Sequence, residues 1–233
     1  MVMQAAAGTI VLLGFGYLLA TVVLSRRKLP TPAGGAEPEL FVFVVPALNE
    51  ERVIAATVGS LLGACGERGR VLVIDDGSTD ATGQILDRLR GQHPDRVWVL
   101  TRRAPAARQG KGAALNAAYQ LVRDIALNGG LDPRAVVLGI VDADGRLEPA
   151  ALKQVAPYFR NPRVGAVQLL VRVRNRARLL GRFQDYEFLV FSSLTQTARE
   201  KLGSVGLGGN GQFTRLAALA ALGEAPWTDC LTE

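Results

Sequence analysis

Short apolar runs alternate with helical patterns along most of this chain. The apolar runs have the length of buried strands and lie at residues 40–45, 70–74, 96–100, 136–141 and 164–173. The predicted helices, where apolar residues recur at helical spacing, cover residues 50–63, 81–90, 110–126, 149–159 and 183–202. Strands that alternate with helices indicate βαβ crossovers, so we expect an α/β fold with a mostly parallel sheet.

The first 25 residues have a different pattern, with no charged side chain. Residues 5–24 are almost wholly apolar or small, and a helix of about 20 such residues can span a bilayer. Arg26, Arg27 and Lys28 follow at once, which by the positive-inside rule places this flank, and the rest of the chain, in the cytosol. A cleaved secretory signal is the alternative, although its basic region would precede the apolar stretch. We therefore predict a transmembrane anchor over residues 1–28, a linker over 29–39 and a globular domain over 40–233.

Polar residues gather where three predicted strands end, at residues 46–50, 75–80 and 142–145. Ligands of open α/β sheets bind outside the carboxyl ends of the strands. Asp142 and Asp144 end the central strand, and residues i and i+2 of a strand point to the same side. Two such carboxylates can hold a divalent cation such as Mg²⁺, which also takes phosphate oxygens and water. The alternative is a strand that ends in a solvated Asp-Gly turn.

Three further charged residues at these ends suit a nucleotide. Lys111 lies between two glycines at a predicted helix start, where a phosphate group would be well bound. The carboxylates of Glu50 and Asp76 can accept hydrogen bonds from a base N–H or a ribose hydroxyl. The structural alternatives are helix caps at Asn49 and Asp80 and a solvated turn at Lys111.

Composition narrows the chemistry. The chain is 48% hydrophobic and 21% charged, with a net charge of +6 that suits phosphate ligands, an anionic membrane face or nucleic acid. The single histidine, His93, precedes a proline in a predicted loop, which argues against a histidine-based triad or a zinc site. Cys65 and Cys230 have no metal-ligand spacing and are expected to be reduced thiols.

Two neighbouring motifs do not fit. The segment before Lys111 has Pro105 where a Walker A loop needs glycine, and Gly112 stands where that loop needs Ser or Thr. The Asp142–Gly145 turn also resembles the nucleophile strand of haloacid-dehalogenase-like phosphatases. In that family the motif opens the domain and a later acidic pair follows, whereas here at least three predicted strands precede it and no such pair follows.

Four short motifs stand in a fixed order: PALNE at 46–50, DDGSTD at 75–80, GKGAALN at 110–116 and DADG at 142–145. Together they resemble family 2 glycosyltransferases, in particular the membrane-bound branch with cellulose, hyaluronan and poly-N-acetylglucosamine synthases. The resemblance covers about residues 40–233. It implies a GT-A fold, a nucleotide-sugar donor that is usually a UDP-sugar, Mg²⁺ or Mn²⁺, and direct displacement with inversion of the anomeric centre.

The resemblance also implies residue roles. The nucleotide-binding residues would be Ala47, Glu50, Asp76, Lys111 and Asp142. Asp144 would ligate the metal, with Asp142 beside it. The acceptor site would be lined by Gly208, Gly209, Asn210 and Gly211, although the synthases more often have a Cys-Gly-Ser type sequence there.

The last residues resemble the approach to the family's Thr-Glu-Asp motif, whose Asp is the general base. Glu233 is thereby assigned to the catalytic motif, and the Asp would come next, so we expect a fragment of a longer enzyme. The expected activity is transfer of a sugar to a saccharide or lipid acceptor at the cytoplasmic side of the cell membrane, without nucleic acid. The alternatives are a catalytically silent nucleotide-sugar-binding or assembly subunit and, less favoured, a nucleotidyltransferase on a related fold.

An aromatic-rich stretch in the predicted helix at 183–202 suits a membrane surface, where the family places amphipathic helices. An ordinary core-facing helix is the alternative. Five arginines between residues 172 and 182 are suited either to lipid phosphates or to a solvated edge.

Overall fold

The structure, a computed structural model, describes residues 2–26, 34–173, 177–203 and 206–228, without the side chains of residues 2–6 and 191. The chain forms two compact units. The smaller consists of Met1–Pro30 and Leu170–Leu207, and the larger of Thr31–Leu169 and Gly208–Glu233. The predicted sites at Arg27, Lys28, Arg174, Arg176, Cys230 and Glu233 lie outside the described residues.

One six-stranded sheet organises the larger unit, in the order β3-β2-β1-β4-β6-β5. Its strands are β1 (Leu40–Ala47), β2 (Gly69–Asp75), β3 (Val97–Thr101), β4 (Val136–Ile140), β5 (Ala166–Gln168) and β6 (Gln212–Arg215). The first four strands are parallel, and β6 runs antiparallel between β4 and β5. The predicted α/β fold with a mostly parallel sheet is therefore confirmed.

Helices cover both faces of this sheet. The helices of the chain are α1 (Val2–Ser25), α2 (Ile54–Ala64), α3 (Thr82–Gln92), α4 (Lys111–Asn128), α5 (Ala151–Val155), α6 (Leu179–Lys201) and α7 (Leu216–Ala220). Phe41 and Phe43 of β1 belong to the core on the α2 face, whereas Val42 and Val44 belong to the core on the α4 face. This alternation follows from the two-residue period of a strand, and it explains why β1 reads as one continuous apolar run.

The structure corrects the predicted strand at residues 164–173 and adds a strand that the pattern did not predict. Only Ala166–Gln168 is a strand, and its partner is β6. β6 has the sequence QFTR, in which Phe213 is the only large apolar residue, so its pattern was too weak to identify. Phe213 lies opposite Gly139 of β4 and packs edge-to-face on Phe43, with ring centroids 5.8 Å apart.

Two predicted helices also differ. The first begins at Ile54 and has Val53 at its N-cap position, whereas Asn49 has a left-handed backbone with φ of 59° and does not cap a helix. The prediction of a helix cap at Asn49 was therefore wrong. The single helix predicted at 149–159 consists of α5 followed by a 3₁₀ turn, Ala156–Arg160. Pro157, which lacks a backbone N–H, lies in that turn.

The smaller unit contains α1 and α6, which pack against each other. Within α1, Ala7–Ser25 is long and apolar enough to cross a membrane. The opposite faces of α6 differ, because Gly181 and Asp185 are buried while an apolar stripe is exposed. That stripe comprises Leu179, Leu180, Phe183 and Tyr186, each 66–70% exposed. Phe183, Tyr186 and Phe188 are therefore exposed rather than packed in a core within the described chain. Asp185 accepts hydrogen bonds from Arg172 (2.8 Å) and from the Val173 N–H (3.0 Å), so Arg172 is used inside this unit.

Candidate functional site

The ends of β1, β2 and β4 meet at one edge of the sheet, as the sequence predicts. Ala47, the last residue of β1, lies opposite Asp75 of β2, and its carbonyl accepts the Asp76 N–H at 2.9 Å. On the other side of β1, the Val141 N–H donates to the Val44 carbonyl at 3.0 Å. Ala47 is itself buried, so only its backbone groups can contribute to a site at this edge.

The loops after β1 and β2 are joined by hydrogen bonds. The Asn49 side-chain oxygen accepts from the Thr79 N–H at 2.8 Å, and the Asn49 N–H donates to the Ser78 hydroxyl at 3.0 Å. The Glu50 N–H donates to the Thr82 hydroxyl at 2.8 Å. The PALNE and DDGSTD loops thus lie side by side, and the hydrogen bonds of Asn49 connect them.

The two aspartates that end β2 have different partners. Asp75 accepts the Ser78 N–H at 2.9 Å and closes the turn. Asp76 forms an ion pair of 2.6 Å with Arg102, in which the two side chains are 10% and 9% exposed. Arg102 also donates to the Ala106 carbonyl, so the guanidinium is held at two points. The sequence analysis did not identify Arg102, because only the fold brings the residue after β3 beside the end of β2.

Lys111 and Asp142 form the second ion pair of the site. Lys111 is the first residue of α4, and its ammonium lies 2.5 Å from Asp142 Oδ1. Both side chains are partly exposed, at 26% and 37%. An anion that arrived at the start of α4 would meet the Lys111 ammonium and the free backbone N–H groups of the helix together.

Asp142 and Asp144 lie in a turn rather than in a strand. β4 ends at Ile140, and the Gly145 N–H donates to the Asp142 carbonyl at 2.8 Å. Strand alternation therefore does not place the two carboxylates on one side, which corrects that step of the sequence argument. The turn is held from the α2 side, where the buried Thr57 hydroxyl donates to the Ala143 carbonyl at 2.6 Å.

Negative charge is concentrated between this turn and the loop after β1. Burial raises the pKa of Glu50, and the negative charges of Asp144 and Asp80 raise it further. Within the described ranges, no three His, Cys, Asp or Glu side chains are grouped closely enough to hold a metal ion by themselves. A divalent cation at exposed Asp144 would take its other ligands from phosphate and water, which is the usual mode for Mg²⁺. The residues present fit a metal of that kind.

The turn formed by Gly208–Gly211, predicted to line the acceptor site, lies against Asp142 and Lys111. The Asp142 N–H makes a long hydrogen bond of 3.4 Å to the Asn210 side-chain oxygen. A Cβ atom placed on Gly209 would lie 3.3 Å from the Lys111 ammonium. Gln168 of β5 holds this turn and was not identified from the sequence, because its partners are about 40 residues away along the chain.

Asn116, the last residue of the GKGAALN motif, binds the segment near the end of the described chain. Its side chain donates to the Trp227 carbonyl at 2.8 Å and accepts the Trp227 N–H at 3.0 Å. On the same side of α4, Arg123 forms an ion pair of 2.7 Å with Glu224. The helix that begins with Lys111 therefore also holds the segment that precedes Glu233 in sequence.

A family profile described as "Glycosyltransferase like family 2" matches residues 38–233, a range that contains all four motifs and the whole sheet. The chain belongs to glycosyltransferase family 2. A β-monoglucosyldiacylglycerol synthase from Synechocystis is 36% identical over 77% of this chain and 36% of its own length. A poly-β-1,6-N-acetyl-D-glucosamine synthase from Staphylococcus aureus is 26% identical over 84% of this chain and 44% of its own length. This family 2 chain thus spans less than half the length of these curated relatives.

Solved structures confirm the GT-A fold for this family 2 chain. A mannosyltransferase from Pyrobaculum calidifontis, in complex with GDP-Man and Mn²⁺, has a TM-score of 0.67 at 22% identity. The match covers 94% of this chain and 57% of that one. S. aureus TarS in complex with UDP has a TM-score of 0.52 at 19% identity, over 78% of this chain and 48% of that one.

Proposed function

We propose that this family 2 chain transfers a sugar from a UDP-sugar to an acceptor at the cytoplasmic face of a membrane, with Mg²⁺ or Mn²⁺. The observation that carries the proposal is the convergence of Asp76, Lys111 and Asp142 at one edge of the sheet. A base acceptor, a phosphate-binding cation and a metal-binding turn are the groups that a nucleotide diphosphate requires.

The chemistry is a displacement in which an acceptor hydroxyl attacks the anomeric carbon and the nucleotide diphosphate leaves. Lys111 binds a diphosphate oxygen and stabilises the charge that builds up as the bond to the sugar breaks. Asp144, with Asp142, would hold the divalent cation, which supplies further positive charge to the leaving group. Asp76 accepts the N3–H of uracil, and the ion pair with Arg102 holds that carboxylate in place. Glu233 belongs to the motif that would supply the general base.

For the acceptor we propose a membrane lipid in the first place and a saccharide in the second. The relative at 36% identity is named for a glucolipid, and the relative at 26% is named for a polysaccharide. The exposed apolar surface of α1 and the apolar stripe of α6 favour an enzyme that works beside lipid.

The experiment is a screen of UDP-sugars with the protein in membranes, measuring transfer into lipid-extractable product and calorimetric UDP binding. Asp144→Asn removes a charged metal ligand at nearly constant shape, and we expect loss of Mn²⁺-dependent binding and of transfer. Asp95→Asn is the control, because this exposed residue precedes β3 at the opposite edge of the sheet. Unchanged Mn²⁺-dependent binding by Asp144→Asn would contradict the metal assignment, and UDP binding without any transfer would favour a silent subunit.

A further inference from the structure

We propose that Gln168 is a positioning residue of the transfer site, a role that rests on the proposed function. Gln168 is the last residue of β5 and is itself half-buried. Its carboxamide fixes the Gly208–Gly211 turn against the part of the site that would hold the diphosphate and the metal.

The Gln168 side chain binds two of the four residues of the turn, Gly208 and Asn210. The Gln168 side-chain oxygen accepts the Gly208 N–H at 2.9 Å, and the side-chain nitrogen donates to the Asn210 carbonyl at 2.8 Å. The same nitrogen lies 3.0 Å from the Leu169 carbonyl. Glutamine suits this task because its side-chain amide has an oxygen that accepts hydrogen bonds next to an NH₂ group that donates two. An ionised glutamate offers only acceptors, and the alanine side chain offers no donor and no acceptor.

The turn needs such a constraint because of its composition. Three of its four residues are glycines, which have the widest conformational freedom of any residue. Gly211 has φ of 73°, a conformation that favours glycine, and its N–H donates to the Ile140 carbonyl at 2.8 Å. The C-terminal end of the turn is thereby tied to β4, and Gln168 supplies the tie at its N-terminal end.

The turn lies against the two residues that would meet the donor, Asp142 and Lys111. Asn210 accepts the Asp142 N–H, so the position of Asn210 sets the start of the Asp142–Gly145 turn. Gly209 lies beside the Lys111 ammonium, and its missing side chain leaves one side of that ammonium open. We infer that a loosened turn would shift Asp142 and would intrude on the space beside Lys111.

The test compares Gln168→Ala and Gln168→Glu with wild type in the full-length protein, using UDP with Mn²⁺ as the probe. We expect Gln168→Ala to weaken Mn²⁺-dependent UDP binding and to lower the transfer rate by up to about a hundredfold, since a misplacement of about 1 Å can cost that much in rate. The melting temperature should change little. Gln154→Ala, at an exposed position of α5, is the matched control and should bind UDP as wild type does.

Gln168→Glu separates positioning from a general loss of packing. Ionised glutamate keeps the bond from the Gly208 N–H but repels the Asn210 carbonyl, whereas protonated glutamic acid can donate to it. UDP binding by this variant, relative to wild type, should therefore recover as the pH is lowered. Wild-type binding by Gln168→Ala, or a Gln168→Glu variant whose relative affinity does not change with pH, would overturn the role of Gln168. The first of these results leaves the proposed function intact, whereas a wild-type protein that binds no UDP would remove both.

Discussion

Glu50 is a candidate binding residue whose negative charge is expected to lower the stability of the folded protein. Burial and the neighbouring charges of Asp144 and Asp80 raise the pKa of Glu50, so the folded protein binds this proton more tightly than the unfolded chain does. The contribution of Glu50 to the free energy of unfolding is therefore largest at low pH and is lost as the pH rises through the raised pKa.

We expect Glu50→Gln to melt at a higher temperature than wild type at neutral pH, because it removes a charge that is partly desolvated and repelled. The gain should vanish at low pH, where Glu50 is protonated and resembles glutamine. Thermal melting across this pH range is the measurement, with Glu148→Gln at an exposed position as the control. A Glu50→Gln variant less stable than wild type at neutral pH would show that the ionised carboxylate is stabilised in the fold.

Asp76 is expected to contribute both to stability, through its ion pair with Arg102, and to UDP binding. Asp76→Ala would change both at once. Asp76→Ala would leave a buried guanidinium without its partner, at a cost of about 3–5 kcal/mol in stability. Asp76→Asn keeps the shape and an oxygen that can accept from Arg102, so it should cost less stability than Asp76→Ala, and it should weaken UDP binding by about 1.5–3 kcal/mol through loss of the charged acceptor. Asp75→Ala should act on stability, because it opens the turn to Ser78.

Melting temperatures and the affinities for UDP and CDP test this for all three variants. Cytosine has no N–H at the ring position that Asp76 would contact, so wild type should prefer UDP. If Asp76→Asn binds UDP as wild type does, or if wild type does not distinguish UDP from CDP, Asp76 does not contact the base.

Among the secondary-structure elements, the pairing of β4 with β6 depends on one glycine. A Cβ atom on Gly139 would lie 2.7 Å from the ring of Phe213, which is fully buried against Phe43. We expect Gly139→Ala to lower the free energy of unfolding by about 1–3 kcal/mol, the usual cost of overpacking a core.

Gly59→Ala on α2 is the matched control for Gly139→Ala. Nothing lies within 4 Å of a Cβ atom at Gly59, and alanine is the better helix former. This control should stabilise the protein by about 0.5–1 kcal/mol. Urea unfolding of both variants is the measurement, and a Gly139→Ala variant as stable as wild type would show that Phe213 can move aside.

Elements with a strong local pattern were predictable, and those defined by distant partners were not. The apolar runs at β1, β2 and β4 predicted buried parallel strands because each carries its own pattern. β6 has one large apolar residue, Phe213, and its place in the sheet depends on the pairing of Phe213 with Gly139 of β4. The same reason applies within the site: Asp76 and Lys111 stand in recognisable motifs, whereas Arg102 and Gln168 are recognisable only by what they contact.

For the whole molecule, the predicted anchor implies that the protein is held in a membrane with its larger unit on the cytoplasmic side. We expect the protein to resist alkaline extraction from membranes, with its larger unit protected from protease in intact cells. Leu12→Lys combined with Phe15→Lys should weaken membrane retention, because each lysine near the centre of a spanning helix costs about 2.5–3.5 kcal/mol. Leu222→Lys changes an exposed leucine outside the helix and is the control. A mature N-terminus near Ser25 in mass spectra would instead indicate a cleaved signal.

During synthesis, the outer edge of β4 has no partner until β6 has been made. β4 ends at Ile140 and β6 begins at Gln212, with all of α6 between them. A ribosome that adds about 5–20 residues per second needs several seconds for that stretch. An apolar strand edge left open for this time can pair with another nascent chain. α1 has by then left the ribosome, and as the predicted anchor it would gather such chains at the membrane. Weaker translation initiation, which puts fewer ribosomes on each message, should therefore raise the yield of folded protein even though the completed sheet is unchanged.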